Sequence, residues 1–147
     1  MSSEKPSIIC CIRKRPVAAT PEELIRQECL QHLLENGYPQ KWLLVECSLD
    51  TLLKAGLCVD KRLPKRRIDI LGLYGKSDGS FSPHLLVECK ADLLGAEAIR
   101  QLLDYNHYLQ APYVMGYGSD GGCTGWYDPT AGKYQYLSGV FCFHTCY

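Results

Sequence analysis

Two stretches decide the fold: Ile68-Asp69-Ile70-Leu71-Gly72-Leu73-Tyr74 and His84-Leu85-Leu86-Val87-Glu88-Cys89-Lys90. Each is a short apolar run interrupted by charge, the length and composition of a buried strand. Residues 75–83 between them are rich in Gly and Ser and predict a turn, so the two runs read as a hairpin. Residues two apart in a strand share a face. Glu88 and Lys90 therefore point one way, and Val87 and Cys89 the other. A hairpin lays the Asp69 strand alongside, and two carboxylates and an ammonium then converge on one spot. A buried carboxylate is costly unless it has a cation, a hydrogen-bond donor or water.

Upstream of this pair, Thr20-Pro21-Glu22-Glu23 starts a helix: Thr20 caps, Pro21 suits the first turn and Glu23 completes a capping box. Leu24, Ile25, Leu30, Leu33 and Leu34 recur at helical spacing, and Asn36-Gly37 followed by Pro39 ends the helix. Residues 42–47 read as a strand. Residues 49–57 read as a short helix, with Asp50 as its cap and Gly56 as its stop. Residues 1–19 read as a lead-in with little order, although 8–12 could add an edge strand, and 20–147 form the domain. Downstream, residues 95–109 are an amphipathic helix through Ala98, Ile99, Leu102, Leu103, Tyr105 and Leu109. Residues 113–117 are a strand, and 118–125 a Gly-rich loop. Residues 124–128 and 133–137 form a hairpin about Asp128–Gly132, and 140–147 offer a last strand. No internal repeat is evident. The order helix, strands, helix, strands predicts an α/β fold, a mixed β-sheet flanked by α-helices.

At 147 residues the chain fits one domain, which buries about two-thirds of the unfolded surface. Sixteen Lys and Arg balance sixteen Asp and Glu. No global basic field announces a nucleic-acid partner, so such a surface must be local. The nine cysteines are odd in number and scattered, with no CxxC pair. They read as small buried hydrophobes in a reducing cytoplasm. The nearest approach to a zinc set is Cys142, His144 and Cys146, with no second cluster to complete it. No apolar leader and no run long enough to span a membrane is expected.

The two carboxylates and the lysine suit phosphodiester hydrolysis. Carboxylate oxygens hold Mg²⁺ in an octahedral site that keeps waters and accepts a phosphate oxygen. The metal offsets transition-state charge and acidifies a water, and Lys90 can orient that water. The bland alternative is a half-exposed Asp and a surface Glu–Lys pair. Gln101 and Tyr105 share a helix face, and read equally as site residues or as a solvated Gln and a core Tyr. Asn106 and His107 extend that polar side; His107 fits a phosphate contact or an ordinary surface residue. Glu23 and Glu28 on the first helix are further candidates, with a capping residue and a solvated face as the alternatives. Gln27 lies one turn beyond Glu23. The basic run Lys61, Arg62, Lys65, Arg66 and Arg67 can hold a phosphate backbone or be a solvated loop.

These residues resemble a known family. Arg67-x-Asp69, then Leu86-Val87-Glu88-Cys89-Lys90-Ala91, then Gln101-x-x-x-Tyr105-Asn106 is similar to the N-terminal nuclease domain of type I restriction enzyme R subunits, a branch of the PD-(D/E)xK nucleases. Thr20-Pro21-Glu22-Glu23-x-x-Arg26-Gln27 and Gly37-Tyr38-Pro39 resemble the same family, and the likeness spans about residues 20–128. It implies a restriction-endonuclease-like α/β core, Mg²⁺ dependence (with Mn²⁺ able to substitute) and double-stranded DNA as substrate. It places Asp69, Glu88 and Glu23 at the metal, Lys90 at the attacking water and Gln101 and Tyr105 in the motif that follows. Lys65, Arg66 and Arg67 are the matching DNA-binding candidates. Ile68 stands where the family name has proline. No GxxxxGK[ST] motor motif is present in the 147 residues, which leaves open a free-standing relative or an excised domain that works with a motor or other restriction-system subunits. A homodimer fits a double-strand cut. The main alternative is a non-catalytic DNA- or partner-binding module that keeps the fold; a redox or zinc protein is a third.

Overall fold

The computed structural model describes residues 6–58 and 66–143. Thr20 is extended (φ −72°, ψ 159°) and its hydroxyl accepts the Glu23 N–H, which opens helix α1 (Pro21–Glu35). Only half of the expected capping box forms, because the Glu23 carboxylate turns to arginines instead. The helix closes on Asn36 and Gly37 (φ 91°). Tyr38 N–H reaches Leu33 C=O and Gly37 N–H reaches Leu34 C=O, the paired bonds of a Schellman stop.

One turn of 3-10 helix (Gln40–Trp42) leads into β3 (Leu43–Ser48), α2 (Leu49–Lys54), β4 (Arg67–Gly75), β5 (Phe81–Cys89), α3 (Ala96–Leu109), β6 (Tyr113–Gly118), β7 (Gly121–Asp128) and β8 (Lys133–Ser138). These six strands form one sheet in the order β3-β4-β5-β6-β7-β8. All neighbours are antiparallel except β5 and β6, the pair that α3 connects. A parallel pair needs such a crossover. The fold is the expected α/β one, a mixed sheet with helices on both faces. Cys29, Leu30 and Leu33 of α1 cover Ile70, Leu85, Val87 and Met115 on one face. Leu49 and Leu52 of α2 and Leu102 and Leu109 of α3 cover Leu71, Leu86 and Val114 on the other. Gly72 makes room for the α1 side: a Cβ there would lie 2.2 Å from the Tyr38 hydroxyl, which donates to Leu73 C=O at 2.8 Å.

Four expectations are corrected. Residues 7–18 are not a loose lead-in: β1 (Ser7–Ile9) and β2 (Pro16–Ala18) form a separate hairpin. Cys10 beside it is fully buried, and Cys11 N–H donates to Gln27 on α1. So short a segment gains its order from tertiary contacts, which periodicity does not reveal. Ser48, not Asp50, caps α2, accepting the Thr51 N–H. The expected loop 118–125 is mostly strand, since Gly121–Trp126 pairs with β6. There glycine marks close packing rather than a turn: a Cβ on Gly125 would meet the Tyr136 ring at 2.7 Å. Residues 140–143 are not a strand, and 144–147 lie outside the described residues.

Candidate active site

The sheet carries its acids at one end of β3, β4 and β5. Val45 and Cys47 pair with Ile70 and Ile68, so Glu46 lies opposite Asp69. The β4–β5 ladder begins at Ile70↔Val87, and one step beyond it Asp69 stands beside Glu88. There the backbone pairing gives way to a side chain: Asp69 Oδ2 accepts the Cys89 N–H at 2.8 Å. The Asp69 and Glu88 carboxyls are within hydrogen-bonding reach, a protonated Glu88 donating to Asp69. Lys90 Nζ is 3.8 Å from Glu88 Oε1. The three central residues are thus brought together. Cys89 packs on the opposite face against Cys29 of α1, as strand alternation requires.

Burial, and then the like charge of Asp69, push the Glu88 carboxyl up to about 7, against the smaller opposing pull of Lys90 and Arg66. Two acids forced together behave this way, one retaining its proton. A carboxyl so displaced by burial and a specific charged neighbour is a functional-site candidate.

Arg26 stands in the motif that carries the resemblance, but the sequence assigned it no role in the site. It is 6 % exposed. Its guanidinium donates to three carboxylates: Glu23 Oε2 at 2.8 Å, Glu46 Oε1 at 2.6 Å and Asp69 Oδ1 at 2.7 Å. Arg13 from the hairpin binds the other Glu23 oxygen, and Gln27 Nε2 reaches Oε2 at 3.3 Å. Both Glu23 oxygens are therefore engaged by arginine, and Arg26 links Glu23 to Asp69. Glu46 was also missed. Its backbone is left-handed, φ 57°, which costs a non-glycine residue about 1–3 kcal/mol. The sequence did hold a signal for it: Leu-Leu-Val-Glu-Cys occurs twice, at 43–47 and 85–89. The two copies lie on the strands that flank Asp69.

The other candidates scatter. Arg66 Nη1 donates to the Tyr105 hydroxyl and its guanidinium sits 5.8 Å from the ring centroid. Tyr105 is buried, while Arg66 is exposed and close enough to Glu88 to influence it. Arg67 is exposed and reaches Glu46 C=O at 3.3 Å. Lys61, Arg62 and Lys65 lie outside the described residues. Gln101 is half-buried on the α3 turn before Tyr105. Asn106 serves the fold, trading two hydrogen bonds of 2.9 Å with Ala111 beyond the helix end. His107 is exposed against Tyr108. Glu28 accepts from the Tyr117 hydroxyl at 2.9 Å. Cys142 Sγ lies 3.7 Å from Asn36 C=O, and His144 and Cys146 are outside the described residues. Among the described residues, no three His, Cys, Asp or Glu side chains are arranged to hold a metal together, and no helix is long and apolar enough to cross a membrane.

Sheet, flanking helices and acidic strand ends define a restriction-endonuclease-like α/β domain. The family model described as type I restriction enzyme R protein N terminus (HSDR_N) matches residues 21–138, and the chain belongs to that family. No curated protein matches the chain at a significant level, and neither does any solved structure.

Proposed function

We propose that this chain is a Mg²⁺-dependent nuclease domain that hydrolyses phosphodiester bonds of double-stranded DNA. The observation that carries the reading is Asp69 beside Glu88 at the end of two paired strands, with the Lys90 ammonium 3.8 Å from Glu88.

The residues fit a divalent cation. A carboxylate offers about four acceptor positions. Arg26 Nε and Nη2 take two on Asp69 Oδ1, and the Cys89 N–H takes one on Oδ2. The fourth position, on Oδ2, is open to a cation once Glu88 no longer donates its proton to Asp69. Mg²⁺ is commonly held by one or two carboxylates, the rest of its shell being waters and substrate phosphate. Asp69 and Glu88 suffice for that. Glu23, expected as a third ligand, serves in this reading by holding Arg26.

When bound, Mg²⁺ would supply Lewis-acid polarisation of the phosphate and a water of lowered pKa. The protein does the remainder. Glu88 gives up its proton to become a ligand, so cation binding is coupled to proton release. Lys90 orients the attacking water and offsets the charge that develops on the phosphate oxygens. Arg66, steadied by Tyr105, contacts the DNA backbone at the rim. Gln101, one helical turn before Tyr105, is assigned to the same backbone contact in this reading. Partner subunits that supply a motor are consistent with the family.

A binding module that keeps the fold is favoured by one observation, the guanidinium that already satisfies Asp69 Oδ1. Supercoiled plasmid separates the two. Nicking or linearisation in Mg²⁺ or Mn²⁺ that disappears in Lys90→Ala supports the nuclease. Duplex binding with no cleavage and no metal uptake supports the module.

A further inference from the structure

We infer that Arg26 is a positioning residue of this site: it fixes which oxygen of Asp69 faces the cation, and Glu46 acts by holding Arg26. The inference rests on the nuclease reading and extends it to two residues outside the acid–lysine set.

Asp69 lies one residue beyond the end of the β4–β5 ladder, so sheet pairing does not fix its side chain there. Two contacts do. Arg26 Nε and Nη2 both reach Oδ1, at 3.3 and 2.7 Å, and the Cys89 N–H reaches Oδ2. Oδ1 is thereby filled, and Oδ2 keeps its remaining acceptor position for a cation shared with Glu88. Arg26 is itself fixed. It rises from α1, whose Cys29, Leu30 and Leu33 are fully buried against the sheet. Glu23 and Glu46 hold its Nη1 and Nη2. The left-handed backbone of Glu46 turns that residue out of the ordinary strand path, and its carboxylate ends on the guanidinium. The guanidinium makes four hydrogen bonds from its three nitrogens to carboxylates on α1, β3 and β4; an ammonium carries the same charge but offers three donors from a single nitrogen, without that planar fork.

Arg26→Lys therefore keeps the charge and removes the fork. The assay is Mn²⁺ binding to the whole chain by isothermal titration. Wild type, Arg26→Lys, Glu46→Gln and the double variant are compared below their melting transitions, with circular dichroism confirming the fold. Residues that orient metal ligands typically change affinity about 10–100-fold when altered, and a loss in that range is expected for Arg26→Lys. A smaller loss is expected for Glu46→Gln. The double variant should be no worse than Arg26→Lys, because Glu46 works through Arg26. A purely structural Arg26 would lower the melting temperature and leave the affinity of the folded protein unchanged, which overturns the inference. Additive losses would make Glu46 an independent ligand and overturn its part. If Arg26→Lys does not fold, Glu23→Gln and Glu46→Gln carry the test. Reduced affinity in both supports positioning; wild-type affinity in both, or a loss in only one of them, overturns it. Wild-type protein that takes up no Mn²⁺ sinks the nuclease reading together with this inference. Wild-type uptake with undiminished Arg26→Lys uptake sinks this inference alone.

Discussion

Replacing Glu88 by glutamine should stabilise the cation-free protein at alkaline pH, although the side chain is central to the proposed chemistry. Glu88 is 15 % exposed, and it ionises near 7 where an ordinary glutamate ionises near 4.5. That difference means that the native state holds ionised Glu88 about 3 kcal/mol above its level in the unfolded chain. The sign follows from linkage. Below the unfolded value both states are protonated, and the proton-dependent stability is fully present. As pH rises from 4.5 to 7 the unfolded state ionises first, and stability is lost; above 7 the loss is complete. Glutamine mimics the protonated acid in shape and still offers an N–H to Asp69. Glu88→Gln should thus match wild type at pH 4.5 and exceed it at pH 8 by up to about 3 kcal/mol. For a domain of this size each kcal/mol shifts the melting temperature by about 2–4 °C. Thermal unfolding in chelator at the two pH values measures this directly. Adding Mg²⁺ should reverse the order at pH 8, since a ligand that binds only the native state stabilises it by mass action. A variant less stable than wild type at pH 8 in chelator, or a gap of equal size at pH 4.5, refutes the reasoning.

Four further outcomes are expected. Thr20→Ala removes the acceptor for the Glu23 N–H and should cost about 1 kcal/mol; urea unfolding reads it, and a neutral result means that tertiary contacts alone fix this helix start. Gly72→Ala drives a Cβ into the buried Tyr38 hydroxyl and should cost about 1–3 kcal/mol by overpacking; wild-type stability would show that Tyr38 can move aside. Arg66→Ala should weaken duplex binding regardless of sequence and reduce the salt dependence by about one phosphate contact. Tyr105→Phe, which removes the hydroxyl that accepts from Arg66, should act in the same direction but less; an unchanged salt slope in Arg66→Ala removes this residue from the DNA surface.

Much of the core was legible along the chain. The Thr20 cap, the Gly37 stop and the hairpin of β4 and β5 are local devices; the cap and stop lie where expected, β4 is within one residue, and β5 starts three residues earlier than expected, at Phe81. The Gly-rich strand β7 was not legible, because glycine signals a turn and close packing by the same letter. The hairpin before Thr20 was not legible either, since its order comes from Cys10 in the core and Cys11 on Gln27.

By itself the sequence determined which strands are buried, where α1 begins and ends, and that Asp69, Glu88 and Lys90 belong together. Those are consequences of period-two alternation, capping chemistry and the cost of burying charge, all readable within a few residues. Only the tertiary structure decided the electrostatic partners. Arg26 meets Asp69 across 43 positions and Glu46 across 20; Glu23, expected to ligate a metal, instead pairs with Arg13 and Arg26. A guanidinium on a long side chain chooses among carboxylates by the packing of a helix on a sheet, and that choice leaves no periodic trace along the chain.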